Sequence, residues 1–153
     1  DLSNIQNEKS KEKCNISEII QDILSQYKEK INEKELEIIY NWDNNFEIEA
    51  NRYSLFIFLS NIIWNAIKYN KQNWKITIWR RSEFILSITD TWIWIPEDFQ
   101  KKIFERFYQI DTSRTSEWFG IWLSLVQKIS EMNNWKIDIK SKENEYTEFV
   151  IKF

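Results

Sequence analysis

The stretch Asn61-Ile62-Ile63-Trp64-Asn65-Ala66-Ile67-Lys68-Tyr69 places four polar side chains among regularly spaced apolar ones. Around it, over 52–69, apolar residues recur at the spacing of a single helix face, which predicts a long amphipathic helix. The residues that form this face are Leu55, Phe58, Leu59, Ile62, Ile63 and Ala66.

Four polar side chains occupy a neighbouring part of the same helix. Asn61 and Asn65 are four residues apart, and Lys68 and Tyr69 follow about one turn later, so they share one surface beside the apolar stripe. An amide oxygen is a hard, neutral ligand that suits Mg²⁺ also held by phosphate and water, and a lysine can meet phosphate charge. The alternative is a solvated polar face, and the asparagine pair alone does not decide between the two.

The rest of the chain predicts an α+β domain over 15–153. Residues 1–14 are polar and predict the end of an upstream helix followed by a linker, and Asn15 or Ser17 can cap the next helix, to about Asn32. Further helices are expected at 96–107 and 119–132, and strands at 36–40, 46–50, 75–81, 84–89, 135–142 and 148–153. The first two strands flank an Asn41-Trp42 turn. Such a tally predicts a sheet covered on one face by helices.

Two further segments carry candidate chemistry. Asp90 ends a strand directly before 91–96, where its carboxylate can accept a hydrogen bond from an exocyclic amine such as that of adenine. The loop 112–117 leads through Trp118-Phe119-Gly120-Ile121-Trp122-Leu123 into a helix, whose backbone N–H groups can cradle an anion. A turn-opening aspartate and a plain helix start are the alternatives. The order of the three elements favours a nucleotide.

Nine tryptophans and one glycine, Gly120, give the chain an unusual composition. Soluble domains average about 7% glycine, and several tryptophans stand where a turn favours glycine, as in Asn41-Trp42, Asn73-Trp74 and Asn134-Trp135. We therefore hypothesise that the natural protein has glycine at all or most of these positions, through UGA codons that encode glycine. Nine UGG codons in the gene would contradict this hypothesis.

Charge and composition exclude several function classes. The net charge of −3 with mixed signs favours neither nucleic acid nor an anionic membrane as a partner. The chain has no histidine and one cysteine, Cys14, so neither a Ser-His-Asp triad nor a Cys-His pair nor a disulfide framework is available. No apolar run is long enough to cross a bilayer. We expect a cytoplasmic domain whose parent protein can be anchored in the inner membrane.

The motifs resemble those of the catalytic, ATP-binding domain of bacterial sensor histidine kinases, in the ATPase superfamily shared with gyrase, the Hsp90 chaperones and MutL. Residues 61–69 resemble the N box of that family, and 90–96 resemble its first glycine box. Residues 104–107 (Phe-Glu-Arg-Phe) resemble the F box, and 118–123 the second glycine box. The resemblance covers nearly all of 15–153 and implies a two-layer α/β sandwich with a mixed sheet.

The resemblance also implies roles for individual residues. Asn65 would hold Mg²⁺ with Asn61 nearby, Lys68 would contact phosphate, Tyr69 would line the pocket, and Asp90 would bind the adenine amine. Other nucleotide contacts would come from the glycine boxes and the segment between them, at Trp92, Trp94, Ile95, Arg106, Phe107, Arg114, Trp118, Phe119, Gly120, Trp122 and Leu123. If the tryptophans are real, their indoles would obstruct the backbone approach to the nucleotide.

Asn61 distinguishes between reactions within this superfamily. Hydrolysing members carry glutamate four residues before the Mg²⁺-binding asparagine, as a general base for water, whereas an amide cannot take up a proton near neutral pH. We therefore expect a kinase that positions the γ-phosphoryl group for a histidine outside this chain, on the dimerisation domain of a homodimeric parent, with a response regulator as the next acceptor. The alternatives are an ATP hydrolase or switch of the same fold, and a non-catalytic interaction module with tryptophan anchors.

Overall fold

The computed structural model describes residues 11–41, 45–90, 117–142 and 145–153, and within 117–123 it describes the backbone alone. This part of the chain forms seven strands and four helices. In chain order they are β1 (Glu12–Asn15), α1 (Ile16–Gln26), α2 (Lys28–Glu33), β2 (Glu37–Asn41), β3 (Glu47–Ala50), α3 (Arg52–Tyr69), β4 (Lys75–Ser82), β5 (Ile85–Asp90), α4 (Glu117–Asn133), β6 (Lys136–Lys142) and β7 (Tyr146–Lys152).

The main sheet has five strands in the order β2-β4-β5-β7-β6. The strands β2 and β4 are parallel, and the other neighbours are antiparallel, so the predicted mixed sheet is confirmed. Two parallel neighbours need a crossover connection, which here contains α3. The strands expected at 36–40 and 46–50 are present, but they do not pair with each other. Instead β3 pairs with β1, a strand that the sequence pattern did not predict.

The core lies between one face of this sheet and the helices, as predicted. Because side chains alternate along a strand, Leu86 and Ile88 of β5 point to the helical layer, together with Phe149 and Ile151 of β7. The same core contains buried apolar residues from α1, α3 and α4: Ile16, Ile19, Ile20, Ile23, Leu55, Phe58, Leu59, Ile62, Ile63, Ala66, Ile67, Val126 and Ile129.

The helix α3 has the predicted bounds and the predicted buried face. It begins after Asn51, whose side-chain oxygen accepts a hydrogen bond from the Ser54 backbone N–H at 2.9 Å. Asn15 caps α1 in the same way, as expected. The first helix is nevertheless shorter than predicted, because the helical conformation is interrupted at Tyr27. The Tyr27 ring lies 4.8 Å from that of Trp64, and its hydroxyl hydrogen-bonds with that of Ser60 at 2.8 Å.

Asparagine, not tryptophan, takes the left-handed backbone conformation at two of the Asn-Trp pairs. Asn73 has φ 60° and Asn134 has φ 57°, and no tryptophan in the described residues has a positive φ. At the end of α4 the Trp135 N–H donates to the Ser130 carbonyl at 2.9 Å, which closes a Schellman motif. The backbone of this structure therefore has no positive φ that favours glycine at residues 74 and 135, and glycine at these positions of the natural protein stays a prediction. Trp42 lies outside the described residues.

Candidate functional site

The C-terminal half of α3 and the end of β5 lie at the same end of the sandwich. Thr89 near the end of β5 pairs with Thr77 near the start of β4. The strand β4 in turn begins five residues after Asn70, the residue that ends α3, and the Asn70 side-chain amide donates to the Lys75 carbonyl at 3.3 Å. The polar residues 61–69 are thereby brought towards Asp90, as the sequence predicts.

Asn65 is a buried amide on the largely apolar, core-facing side of α3. Its side chain is 1% exposed, between the buried Ile63 and Ala66. Its Nδ2 atom has no hydrogen-bond partner within the described part of the chain. Such a group is costly to bury, so a ligand that accepts a hydrogen bond here gains from satisfying it. Asn61, one turn earlier, is half-buried.

Lys68 and Tyr69 extend this surface at the last turn of the helix. Both are half-buried, and the Lys68 ammonium lies 5.2 Å from the centroid of the Tyr69 ring. A cation at this distance is attracted by the ring face. The aromatic ring therefore holds a positive charge at the last turn of α3, three residues after the buried Asn65.

Asp90 closes β5 with its side chain on the helix-covered face of the sheet. By strand alternation it points to the same side as Leu86 and Ile88, and it is 1% exposed. Its pairing partner is the fully buried Thr147 on β7. A carboxylate at this depth is suited to a directional hydrogen bond with a ligand that enters between the sheet and the helices.

Lys34 is a polar group of this region that sequence patterns missed. Its ammonium donates to the carbonyls of Ile67 at 2.9 Å and Asn70 at 3.1 Å, and also to that of Lys68. Burial lowers the pKa of Lys34, and the nearby ammonium groups of Lys30 and Lys68 lower it further. The Glu33 carboxylate acts in the opposite direction and raises this pKa. No local signal marks Lys34, because its partners lie more than 30 residues away.

The helix α4 begins towards the same end of the molecule. It packs against α3, and just past its C-terminus the Trp135 ring lies 5.1 Å from that of Phe58, in the first half of α3. The same indole lies 5.2 Å from the ring of Phe153, which follows β7 at the end remote from Asp90. The two helices therefore run antiparallel, and the N-terminus of α4, with its partial positive charge, is directed to the end that holds Asp90.

The remaining predicted site residues are only partly described. Residues 118–123 lie within the first turns of α4, which begins at Glu117, two residues before the predicted start at residue 119, and Gly120 has no positive φ. Of its side chains nothing is described. The other candidates lie outside the described residues: Trp92, Trp94, Ile95, Arg106, Phe107 and Arg114.

Neither a protein-only metal centre nor a membrane span is found in the described ranges. No three His, Cys, Asp or Glu residues cluster there, so a cation at Asn65 would take most of its ligands from phosphate and water. Among the helices described, none has both the length and the apolar character to cross a bilayer.

Comparisons with known proteins agree with this geometry. A model of the family described as histidine kinase-, DNA gyrase B- and HSP90-like ATPase matches residues 50–153. The signal transduction histidine-protein kinase ArlS of Staphylococcus aureus (strain USA300) is 45% identical over 94 residues, which are 58% of this chain. The chain spans about a fifth of the length of such relatives, 21% for ArlS.

Solved structures are similar over almost the whole chain. The catalytic domain of histidine kinase ThkA is 26% identical, with a TM-score of 0.78 over 94% of this chain and 95% of that one. ThkA in complex with the response regulator protein TrrA is 25% identical, with a TM-score of 0.76 over 99% of this chain and 46% of that one. The two-layer fold and its mixed sheet are therefore those of histidine kinase catalytic domains.

Proposed function

Because the chain belongs to the family of histidine kinase-, DNA gyrase B- and HSP90-like ATPases, and is an ATP-binding catalytic domain of the sensor histidine kinase type, we propose that it holds Mg-ATP and presents the γ-phosphoryl group to a histidine outside these 153 residues. The buried Asn65 amide carries this proposal. It lies at the end of the sandwich where α3, β5 and the N-terminus of α4 meet, and its Nδ2 atom lacks a hydrogen-bond partner within the described residues.

Each described polar residue then has one task. Asp90 accepts a hydrogen bond from the adenine amine, and Tyr69 lines the pocket. Lys68 binds phosphate with the ammonium that lies over the Tyr69 ring. The N-terminus of α4 adds backbone N–H groups and a partial positive charge, which favour an anion. These groups bind and orient the nucleotide, and orientation with charge neutralisation supplies most of the catalysis in phosphoryl transfer.

The Asn65 side chain fits a magnesium ion that arrives with the nucleotide. Its amide carries a neutral oxygen of the kind that Mg²⁺ accepts beside phosphate and water, and its Nδ2 can donate to an acceptor of the same ligand. When bound, Mg²⁺ would neutralise charge on the phosphate oxygens. Asn65 would hold this ion, and Asn61 would lie one turn away from it.

One feature of the sequence favours transfer of the phosphoryl group over hydrolysis. Asn61 stands four residues before Asn65, and an amide has no basic site to take a proton from water. The chain itself contains no histidine. The phosphate acceptor would therefore be a histidine upstream in a longer protein or on a partner subunit.

We further propose the partners that this activity requires. The first is a histidine-containing dimerisation domain of the same kinase, within a homodimer. The second is a response regulator, since the similar ThkA has been solved together with the response regulator TrrA. The domain would work in the cytoplasm, and anchoring of the parent protein in the inner membrane remains a prediction.

Experiments can distinguish two alternative functions from the proposed one. A hydrolase of the same fold would turn over Mg-ATP steadily without an acceptor. A non-catalytic interaction module would use indoles as anchors, and Trp74 and Trp79, each 41% exposed, are the described candidates for that role. Trp64 and Trp135 are not available as anchors, because they pack against Tyr27, Phe58 and Phe153.

Thermal unfolding with and without Mg-ATP tests the proposal. The chain as written and a form with glycine at all nine tryptophan positions are compared, each with an Asn65→Ala variant. Asn133→Ala is the matched control, because Asn133 is half-buried at the C-terminus of α4, at the far end of the molecule. We expect Mg-ATP to raise the unfolding temperature of the parent and of the Asn133→Ala variant, and to leave the Asn65→Ala variant unchanged.

The two forms separate the nucleotide site from the tryptophan question. Stabilisation of the glycine form alone would support the site and also support glycine in the natural protein. Stabilisation of neither form would contradict the ATP-site proposal and favour an interaction module. Steady hydrolysis of ATP by either form would favour the hydrolase.

A further inference from the structure

The ammonium of Lys34 donates hydrogen bonds to the backbone carbonyl groups at the C-terminus of α3. It donates to Ile67 and Asn70 at 2.9 and 3.1 Å and also to the Lys68 carbonyl. The last carbonyls of a helix have no partner within the helix and carry the negative end of its dipole. The half-buried ammonium of Lys34, the C-cap of α2, therefore hydrogen-bonds the backbone carbonyls of the turn that carries the residues predicted to bind phosphate.

Lys68 would otherwise be the natural group to satisfy these carbonyls. A lysine in the last turn commonly folds back onto the carbonyls of its own helix. Here those acceptors are already bound by Lys34, whose ammonium is close enough to that of Lys68 for the two charges to repel. The Lys68 ammonium instead lies over the Tyr69 ring, 5.2 Å from its centroid.

The backbone holds Lys34 in place from both sides. A Schellman motif ends α2, in which the Leu36 N–H donates to the Ile31 carbonyl and the Glu35 N–H to the Asn32 carbonyl, both at 3.0 Å. On the other side, the Asn73 N–H donates to the Lys34 carbonyl at 3.0 Å. The ammonium is thus anchored to α2 and to the loop after α3, and its position does not depend on a ligand.

We propose that Lys34 is a positioning residue for the nucleotide site: by occupying the terminal carbonyls of α3, it keeps the Lys68 ammonium free of its own helix and directed to phosphate. This inference rests on the proposed ATP-binding function. Lys34 itself does not touch the nucleotide. Its loss should let Lys68 turn to the vacated carbonyls, so that phosphate binding weakens while contacts to the adenine are kept.

A double-mutant cycle tests this coupling. Mg-ATP affinity is measured by calorimetry for the unsubstituted chain, Lys34→Met, Lys68→Met and the double variant, and adenosine affinity is measured by ligand-observed NMR. We expect Lys34→Met to weaken Mg-ATP binding about tenfold when Lys68 is present and less than about twofold when it is absent, within the range for coupled neighbours. Adenosine affinity should not change, and Lys34→Arg should restore Mg-ATP binding.

Lys30→Met is the matched control. Lys30 lies on α2 and forms an exposed ion pair with Glu33 at 3.0 Å, and its substitution removes one positive charge near Lys34 while leaving the Lys34 donor to the α3 carbonyls in place. It should leave the affinity for Mg-ATP within about twofold of the parent, as expected for screened surface charge. An equal loss in Lys30→Met and Lys34→Met would reduce the effect to net charge and overturn the proposal.

Other outcomes overturn it as clearly. Equal losses of Mg-ATP affinity with and without Lys68, or a parallel loss of adenosine affinity, would make Lys34 a structural support of the helix end only. If Lys34→Met does not fold, the cycle is repeated with Lys34→Gln, which keeps an N–H donor but no charge, under the same criteria. Failure of both the chain as written and its glycine form to bind Mg-ATP would overturn the proposed function itself, whereas binding with additive variants overturns this inference alone.

Discussion

Trp135→Gly is expected to be the most destabilising of the tryptophan-to-glycine changes that the structure describes well. The indole is 9% exposed, and its ring lies 5.1 Å from that of Phe58 and 5.2 Å from that of Phe153, both edge-to-face. Truncation of a buried tryptophan costs about 3–5 kcal/mol, and glycine adds up to about 1 kcal/mol of backbone entropy. The free energy of unfolding should therefore fall by about 3–6 kcal/mol.

Urea unfolding of the chain as written measures this change, and thermal unfolding repeats it. For a domain of this size about 2–4 °C is lost per kcal/mol, so the thermal midpoint should fall by roughly 6–24 °C. Trp74→Gly is the matched control, because Trp74 is 41% exposed and its described ring contact is with the Lys71 ammonium at 5.4 Å. That contact is worth about 0.5–1 kcal/mol at an exposed site.

Equal effects of the two substitutions would refute this reasoning. If Trp135→Gly changed stability by less than about 1 kcal/mol, the aromatic cluster would not be part of the core, since even a modest core truncation costs more. A gain in stability would indicate that the backbone prefers glycine at residue 135. The structure gives no such preference, because Asn134 takes the left-handed conformation there.

Three further substitutions have expected outcomes. Glu35→Gly should raise the free energy of unfolding in urea by roughly 0.5–1 kcal/mol. Glu35 has φ 51°, and glycine removes a left-handed penalty of about 1–2 kcal/mol but adds about 0.4–1 kcal/mol of entropy to the unfolded chain. No gain in stability would contradict this prediction. Burial, and after it the Glu12 carboxylate, raises the pKa of the Cys14 thiol. Above about pH 8.5 the folded state therefore binds more protons than the unfolded state, and the free energy of unfolding falls as the pH rises. Cys14→Ala should flatten this fall in thermal scans from about pH 8 to 10, and an unchanged slope would count against the prediction. Glu148→Gln should cost about 1–2 kcal/mol, because Glu148 is 6% exposed and accepts from Arg81 at 2.8 Å and Ser87 at 2.6 Å; the control Glu145→Gln, in an exposed pair, should leave the urea midpoint unchanged.

Elements with a local signal were predicted closely. The segment 52–69 has a helical period, a cap at Asn51 and an apolar stripe, and α3 has the predicted bounds. The strands β4 and β5 alternate regularly around a tight turn, and their antiparallel pairing follows from that. Asn65 and Asp90 were brought to one end of the molecule because the motifs lie on these well-defined elements.

Elements that depend on distant partners were missed or misjudged. The strand β1 is short and polar, and its partner β3 lies about 35 residues later, so no local pattern marks it. The strands β2 and β3 were expected around one turn, but β2 pairs in parallel with β4, across α3. The break at Tyr27 depends on Ser60 and Trp64 of α3. The role of Lys34 depends on the same packing and was invisible for the same reason.

The central claim is that the Asn65 end of the sandwich binds Mg-ATP. The most direct test is a calorimetric titration of the 153-residue chain and its Asn65→Ala variant with ATP, in the presence and absence of Mg²⁺. We expect one Mg²⁺-dependent site per chain, with affinity reduced at least about tenfold by Asn65→Ala, as for the loss of one charge-assisted contact. No saturable binding to either the chain as written or its glycine form, or equal affinity in the Asn65→Ala variant of the form that binds, would contradict it.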